Sequence, residues 1–230
     1  NTTVVDKDGD SRLQSVDLGS VIRIEDDGPS GTIALQSGVT LAVDESAGAN
    51  DLQNGGTETA PSGTLGQSSV SYASLVDDTM VAGSDGEASR SYSLSINGGN
   101  GTASGYKTSD GTKNIVLVKN GGVIEGYVDE TNGALAFTVA LNGSGDATLT
   151  QYLAIEHTPN TTDDQVSGGM STGVLLLNTT VVDKDGDSRL QSVDLGSVIR
   201  IEDDGPSGTI ALQSGVTLAV DESAGANDLQ

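Results

Sequence analysis

The chain has no cysteine, no tryptophan, one phenylalanine and one histidine. Without cysteine there is no disulfide framework, no thiolate metal ligand and no cysteine nucleophile. With Phe137 and five tyrosines as its whole aromatic complement, the chain must build its core from Val, Leu, Ile and Ala. Basic residues are also scarce: 10 Lys and Arg stand against 33 Asp and Glu, a formal charge of −23. Such a surface repels nucleic acid and anionic membranes and attracts cations. No nucleic-acid partner is therefore expected. No apolar run approaches the ~18 residues of a spanning helix, so direct membrane insertion is not expected. No signal or transit segment is recognisable.

What the chain does have is a duplication. Residues 1–53 and 178–230 are identical, offset by 177 positions. A period of that length is large enough to be a domain of its own, far beyond a solenoid or propeller repeat. The expectation is a window on a tandem array. Residues 1–30 would be the closing strands and linker of a preceding repeat. Residues 31–207 would form one complete repeat, and 208–230 the first strand of the next. The motif GPSG, at 28–31 and 205–208, supplies the linker. Neighbouring repeats are then the expected partners.

The apolar residues alternate with period two, as on half-buried strands. Leu135, Phe137, Val139 and Leu141 share a face, as do Tyr92, Leu94 and Ile96. Turn clusters lie between: SDGT at 109–112, KNGG at 119–122, DETNG at 129–133 and NGSGD at 142–146. Gly and Asn in such clusters supply the positive φ that tight hairpins need. No helix is expected, and the Gly- and Ser-rich stretch 46–68 reads as a long loop. The fold class expected is all-β, an antiparallel Ig-like β-sandwich. Strands are expected over 1–5 and 18–25, over 32–43, and over 172–182 paired with 193–202.

Acid is unevenly spread: each 53-residue copy holds 10 acidic residues, against 13 in the 124 residues between. Three motifs concentrate it. DKDGD carries Asp6, Asp8 and Asp10, then Asp183, Asp185 and Asp187. EDDGP carries Glu25, Asp26 and Asp27, then Glu202, Asp203 and Asp204. VDES carries Asp44 and Glu45. Ca2+ takes six to eight oxygens, mostly carboxylate and carbonyl. DxDGD offers three carboxylates at alternate positions around a bend, like the start of an EF-hand loop. Its sixth position is Ser188 rather than Gly, and its flanks alternate as strands do. A calcium loop on a β-hairpin fits better. Strand direction then brings Asp26 and Asp27 to Asp183, Asp185 and Asp187 at one end of the domain, and Asp44 and Glu45 to Asp203 and Asp204 at the other. Asp77, Asp78, Asp85, Glu87, Asp163 and Asp164 read as solvated loop charges.

Together, VDES, the Tyr-Ser-Leu and Gly-rich meander over 91–141, QYLAIEH at 151–157, VVDKDGD and IRIEDDGP resemble an extender repeat of giant RTX (repeats-in-toxin) adhesins. Those are type I secreted surface proteins of Gram-negative bacteria. The resemblance implies β-sandwich domains strung end to end on the cell surface, with Ca2+ rigidifying the joints and a distal ligand-binding region held away from the cell. The glycine-rich nonapeptide of RTX β-rolls is absent; GSGDATLT at 143–150 is a poor echo.

Two other classes of function fit the sequence less well. A repeated β-sandwich could bind a surface glycan or protein through its loops, with avidity from many copies. Glycan sites favour aromatic platforms, and Tyr106 is the tyrosine expected to be exposed. An enzyme is not expected. His157 is the lone histidine, at a strand end, where a structural role is the commoner one, and neither a GxSxG nor an HExxH motif is expected.

Overall fold

The computed structural model describes residues 1–45, 58–158, 168–203 and 210–218. The fold is all-β. Its largest sheet has seven antiparallel strands. In chain order the strands before it are β1 (Thr2–Val5), β2 (Ser11–Gln14), β3 (Ile33–Leu35) and β4 (Leu41–Asp44). Next come β5 (Glu58–Thr59), β6 (Gly66–Val70), β7 (Val76–Asp78) and β8 (Glu87–Ile96). A meander follows: β9 (Thr102–Lys107), β10 (Asn114–Asn120), β11 (Val123–Val128), β12 (Leu135–Leu141) and β13 (Ala147–Gln151). The last are β14 (Leu175–Asp183), β15 (Ser188–Asp194) and β16 (Ile199–Glu202).

The meander closes through the four turn clusters named above, and β6 and β5 add to its β13 edge, in the order β5-β6-β13-β12-β11-β10-β9. A second sheet, β15-β14-β8, lies against it, with β8 touching β10, β11 and β12. The shared core is aliphatic, as the composition requires. Ile115, Leu117, Ile124, Val139 and Leu149 meet Leu94, Leu175, Leu177 and Val181 around Phe137. Burial of this apolar surface, at roughly 25 cal/mol per Å², holds the sheets together.

Several expected elements differ. Strands lie at Glu58–Thr59 and Gly66–Val70 inside the stretch read as loop, while 46–57 lies outside the described residues. One helical turn, α1 (Tyr72–Leu75), is capped by the Ser71 hydroxyl, which accepts from the Ser74 N–H. The expected strand 32–43 is broken between β3 and β4 by a turn at Gln36–Gly38. The expected strand 193–202 is broken by a 3₁₀ turn over Leu195–Val198. The hairpin partner of β14 is therefore β15, and β16 leaves that sheet to pair in parallel with β4. Parallel pairing needs a crossover, and the whole domain between 45 and 198 is that crossover. Residues 18–25 form no strand; β1 instead pairs with β2.

Candidate metal centres at the two ends of the domain

At the proximal end, where the chain enters the domain, β14 turns into β15 through Asp183–Asp187. The Asp183 N–H donates to the Asp187 carbonyl at 3.0 Å, closing the turn. Asp183 Oδ1 accepts from the Gly186 and Asp187 N–H groups at 3.0 and 2.7 Å. This tight bend gathers Asp183, Asp185 and Asp187, with one carboxylate oxygen from each within 4.8 Å of the others. Asp183 is 1% exposed, and its Oδ2 is buried with no hydrogen-bond partner among the described residues.

The incoming segment completes the cluster. Ser30 and Val81 exchange backbone hydrogen bonds at 2.8 and 2.9 Å, and Arg189 Nε donates to the Gly31 carbonyl at 2.8 Å. Gly31 has φ +96°, and a Cβ there would stand 2.3 Å from the Thr79 carbonyl oxygen. That explains the closing glycine of GPSG: only glycine lets the linker lie so close. Upstream, Asp27 Oδ2 accepts from the Ser84 N–H at 3.1 Å and from the Ser84 hydroxyl at 3.0 Å. Asp26 then meets Asp85 and Asp185, again with oxygens within 4.8 Å. Glu25 borders the same cleft with Ile24 and Ser84.

The structure thus brings the EDDGP and DKDGD motifs together at this end. Asp85 is an exposed loop charge, as expected, and also joins them. Nothing in its local sequence marks it; the loop before β8 delivers it. In the other DKDGD copy, Asp6, Asp8 and Asp10 also cluster, but all are exposed. A side-chain hydrogen bond with Asp8, helped by backbone N–H groups of the turn, holds the Asp6 carboxyl below its ordinary value.

At the distal end, β4 and β16 run side by side, with Asp44 opposite Glu202. The Glu45 N–H donates to the Glu202 carbonyl at 3.1 Å. Asp44, Glu45, Glu58 and Glu202 are all buried. The Asp44 N–H donates to the Glu58 carboxylate at 3.0 and 3.1 Å. Glu45 Oε1 accepts from Gln151 Nε2 at 2.7 Å and from the Ile155 N–H at 2.8 Å. Glu45, His157 and Asp203 place ligand atoms within 4.8 Å of one another. His157, read as structural, therefore belongs to the carboxylate cluster. Asp204 lies outside the described residues.

Two further sequence readings change. Tyr106 is buried, its ring edge-on to Phe137 at 5.9 Å and its hydroxyl donating to the Ile199 carbonyl at 3.3 Å. It offers no exposed platform. GMSTG at 169–173 has the GxSxG spacing of a serine nucleophile elbow, contrary to the expectation that the chain lacks that motif. It sits in irregular chain before β14 rather than at a strand-to-helix turn, so the context of that motif is missing.

Fold and site define an all-β domain with carboxylates gathered at both ends of its chain path. Residues 40–196 match DUF5801, described as a domain of unknown function, and the chain belongs to that family. No curated protein and no solved structure matches the chain.

Proposed function

We propose that the chain is a structural extender module of a calcium-dependent bacterial surface adhesin of the RTX type. Its repeats would project a distal ligand-binding region from the cell, with Ca2+ stiffening the joint between one repeat and the next. The observation that carries this reading is the buried Oδ2 of Asp183, without a hydrogen-bond partner among the described residues, in a turn whose Asp185 also meets Asp26 and Asp85 of two separate segments. A buried acceptor left without a partner costs on the order of 1–3 kcal/mol, and converging like charges add repulsion. A divalent cation relieves both. The residues fit calcium: the donors are hard oxygens, supplied by the Asp183–Asp187 turn and by Asp26 from the linker. When bound, the ion would supply charge neutralisation and cross-linking, with Asp183, Asp185, Asp187, Asp26 and Asp85 as its protein ligands.

A mechanical role suits the rest of the chain. Identical repeats give length without needing distinct sites. A chain without cysteine gains a staple from metal. Secretion and the cell surface follow from the same reading.

The test is a thermal melt in millimolar Ca2+ against excess chelator. At about 100-fold excess over the dissociation constant, ion bound only by the folded state adds about 2.7 kcal/mol, or roughly 5–10 °C in a domain of this size. An unchanged midpoint would remove the calcium joint and leave the acid as solubility charge.

A further inference from the structure

We infer that the distal end holds a second, chemically different metal site: Glu45, His157 and Asp203 bind a borderline first-row ion of the Zn2+ class, through imidazole nitrogen as well as carboxylate oxygen.

The argument starts from the histidine. His157 is 6% exposed, and its Nε2 lies 3.2 Å from the Ile201 carbonyl oxygen. A carbonyl can only accept, so Nε2 carries the proton. In the neutral ring, Nδ1 is then a bare acceptor. It faces Asp203 Oδ1 at 3.3 Å, and a carboxylate oxygen is also an acceptor. Two acceptors at that separation repel unless a positive charge lies between them. The charge is either a proton or a metal ion.

Three observations favour metal. The arrangement has the outer support that metal-bound histidines use, with the non-ligating N–H fixed by a backbone carbonyl. The spacing fits: ligand atoms each ~2.0–2.2 Å from a tetrahedral ion stand about 3.4 Å apart. A buried orphan acceptor also stands beside the cluster. Glu45 completes it within 4.8 Å. Gln151, wholly buried, gives its Nε2 to Glu45 Oε1, and its own Oε1 is buried with no partner among the described residues. The two heteroatoms share one carboxamide, so this orphan acceptor lies within roughly 5 Å of the Glu45 carboxylate.

Nitrogen in the donor set separates this site from the proximal one. Ca2+ is held by oxygen, whereas imidazole suits Zn, Cu, Fe and Ni. The ion would tie three segments: the end of β4, the chain after β13, and the residue that follows β16. It would lock the parallel β4–β16 pair where the chain leaves the domain. The inference does not depend on the calcium reading.

The test exploits the composition. His157 is the only histidine and there is no cysteine, so an imidazole- or thiolate-ligated ion has one side chain to use. Metal-stripped full chain is titrated with Zn2+ by calorimetry in millimolar Ca2+, which saturates oxygen-only sites. The expected result is one Zn2+ per chain, with affinity falling at least about 100-fold in His157→Gln, since even losing an outer-support group costs 10–100-fold. Asp203→Asn should weaken it as well. A cooperative melt of the metal-free variants near the wild-type midpoint shows that each still folds. Co2+ in place of Zn2+ should give visible absorption that His157→Gln abolishes. Absence of Zn2+ binding under calcium, undiminished binding in His157→Gln, or one-for-one displacement by Ca2+ would each overturn the proposal. The first outcome assigns the charge to an imidazolium–Asp203 pair.

Discussion

The same 53 residues occur twice in this chain and adopt two conditions. Leu195, Val198, Ile199 and Ile201 are buried, while their counterparts Leu18, Val21, Ile22 and Ile24 are 58–94% exposed. Further along the repeat the order reverses. Ile33 and Leu41 are buried, and their counterparts Ile210 and Leu218 are 105% and 97% exposed. Yet one element is the same in both copies. The β1–β2 hairpin has the register of β14–β15, with Val5 opposite Ser11 as Val182 is opposite Ser188. Its turn closes through the same bonds, the Asp10 N–H donating to Asp6 Oδ1 at 2.9 Å as the Asp187 N–H does to Asp183 Oδ1 at 2.7 Å. The hairpin is specified locally, by turn chemistry and adjacent strands. The segment after it has no local partner. It becomes a strand only beside β4, and its apolar face is buried only against the core.

The largest effect should come from cutting the buried copy. Ile199→Ala or Ile201→Ala should destabilise the domain by about 2–5 kcal/mol in urea titrations, while Ile22→Ala or Ile24→Ala should change it by less than about 0.5 kcal/mol. Equal effects from both pairs would mean that the two copies compete for one seat.

Next come the two DKDGD turns. Asp183→Asn should abolish most of the calcium-dependent rise in melting temperature, roughly 2–3 kcal/mol, because Asp183 is the buried member of the proximal cluster. In chelator the same variant should melt at or above the wild type, since repulsion is relieved. Asp6→Asn should leave the calcium response intact.

A control sharpens the comparison where the copies should agree. Leu13 and Leu190 are 60% and 59% exposed. Alanine at either should cost less than about 0.5 kcal/mol by urea titration.

The smallest effect concerns pH. The Asp6 carboxyl is held below its ordinary value by Asp8 and turn N–H groups. A lowered folded-state value favours the ordered turn above the unfolded value near 3.8, and that contribution disappears as pH falls through the lowered one. NMR titration should place Asp6 below 3.8, with cross-strand contacts of β1–β2 weakening only in stronger acid.

The all-β class and the meander were legible because alternation and turn residues are local signals. Phe137 and Val139 point inward as their period predicts. The convergence of Asp26 with Asp185 was also legible, because strand direction carries a motif to a particular end. Asp85 was not: it reaches the cluster through a loop whose path depends on β8 pairing with β14. His157 was not, because its partners, Glu45 and Asp203, lie far from it in sequence and meet only through β4–β16. The broken strands were missed for a related reason. Alternation continues through Leu195 and Ile199, although the backbone turns between them.

By itself, the sequence determined the strand period, the hairpin turns, an aliphatic core and the excess of acid in repeated motifs. These rest on residue type and near-neighbour spacing, and both copies of the duplication carry them equally. Tertiary structure decided which copy is buried, which strand β4 receives, and which carboxylates lose their water. Those outcomes depend on what lies across the fold, and two identical sequences have different neighbours there.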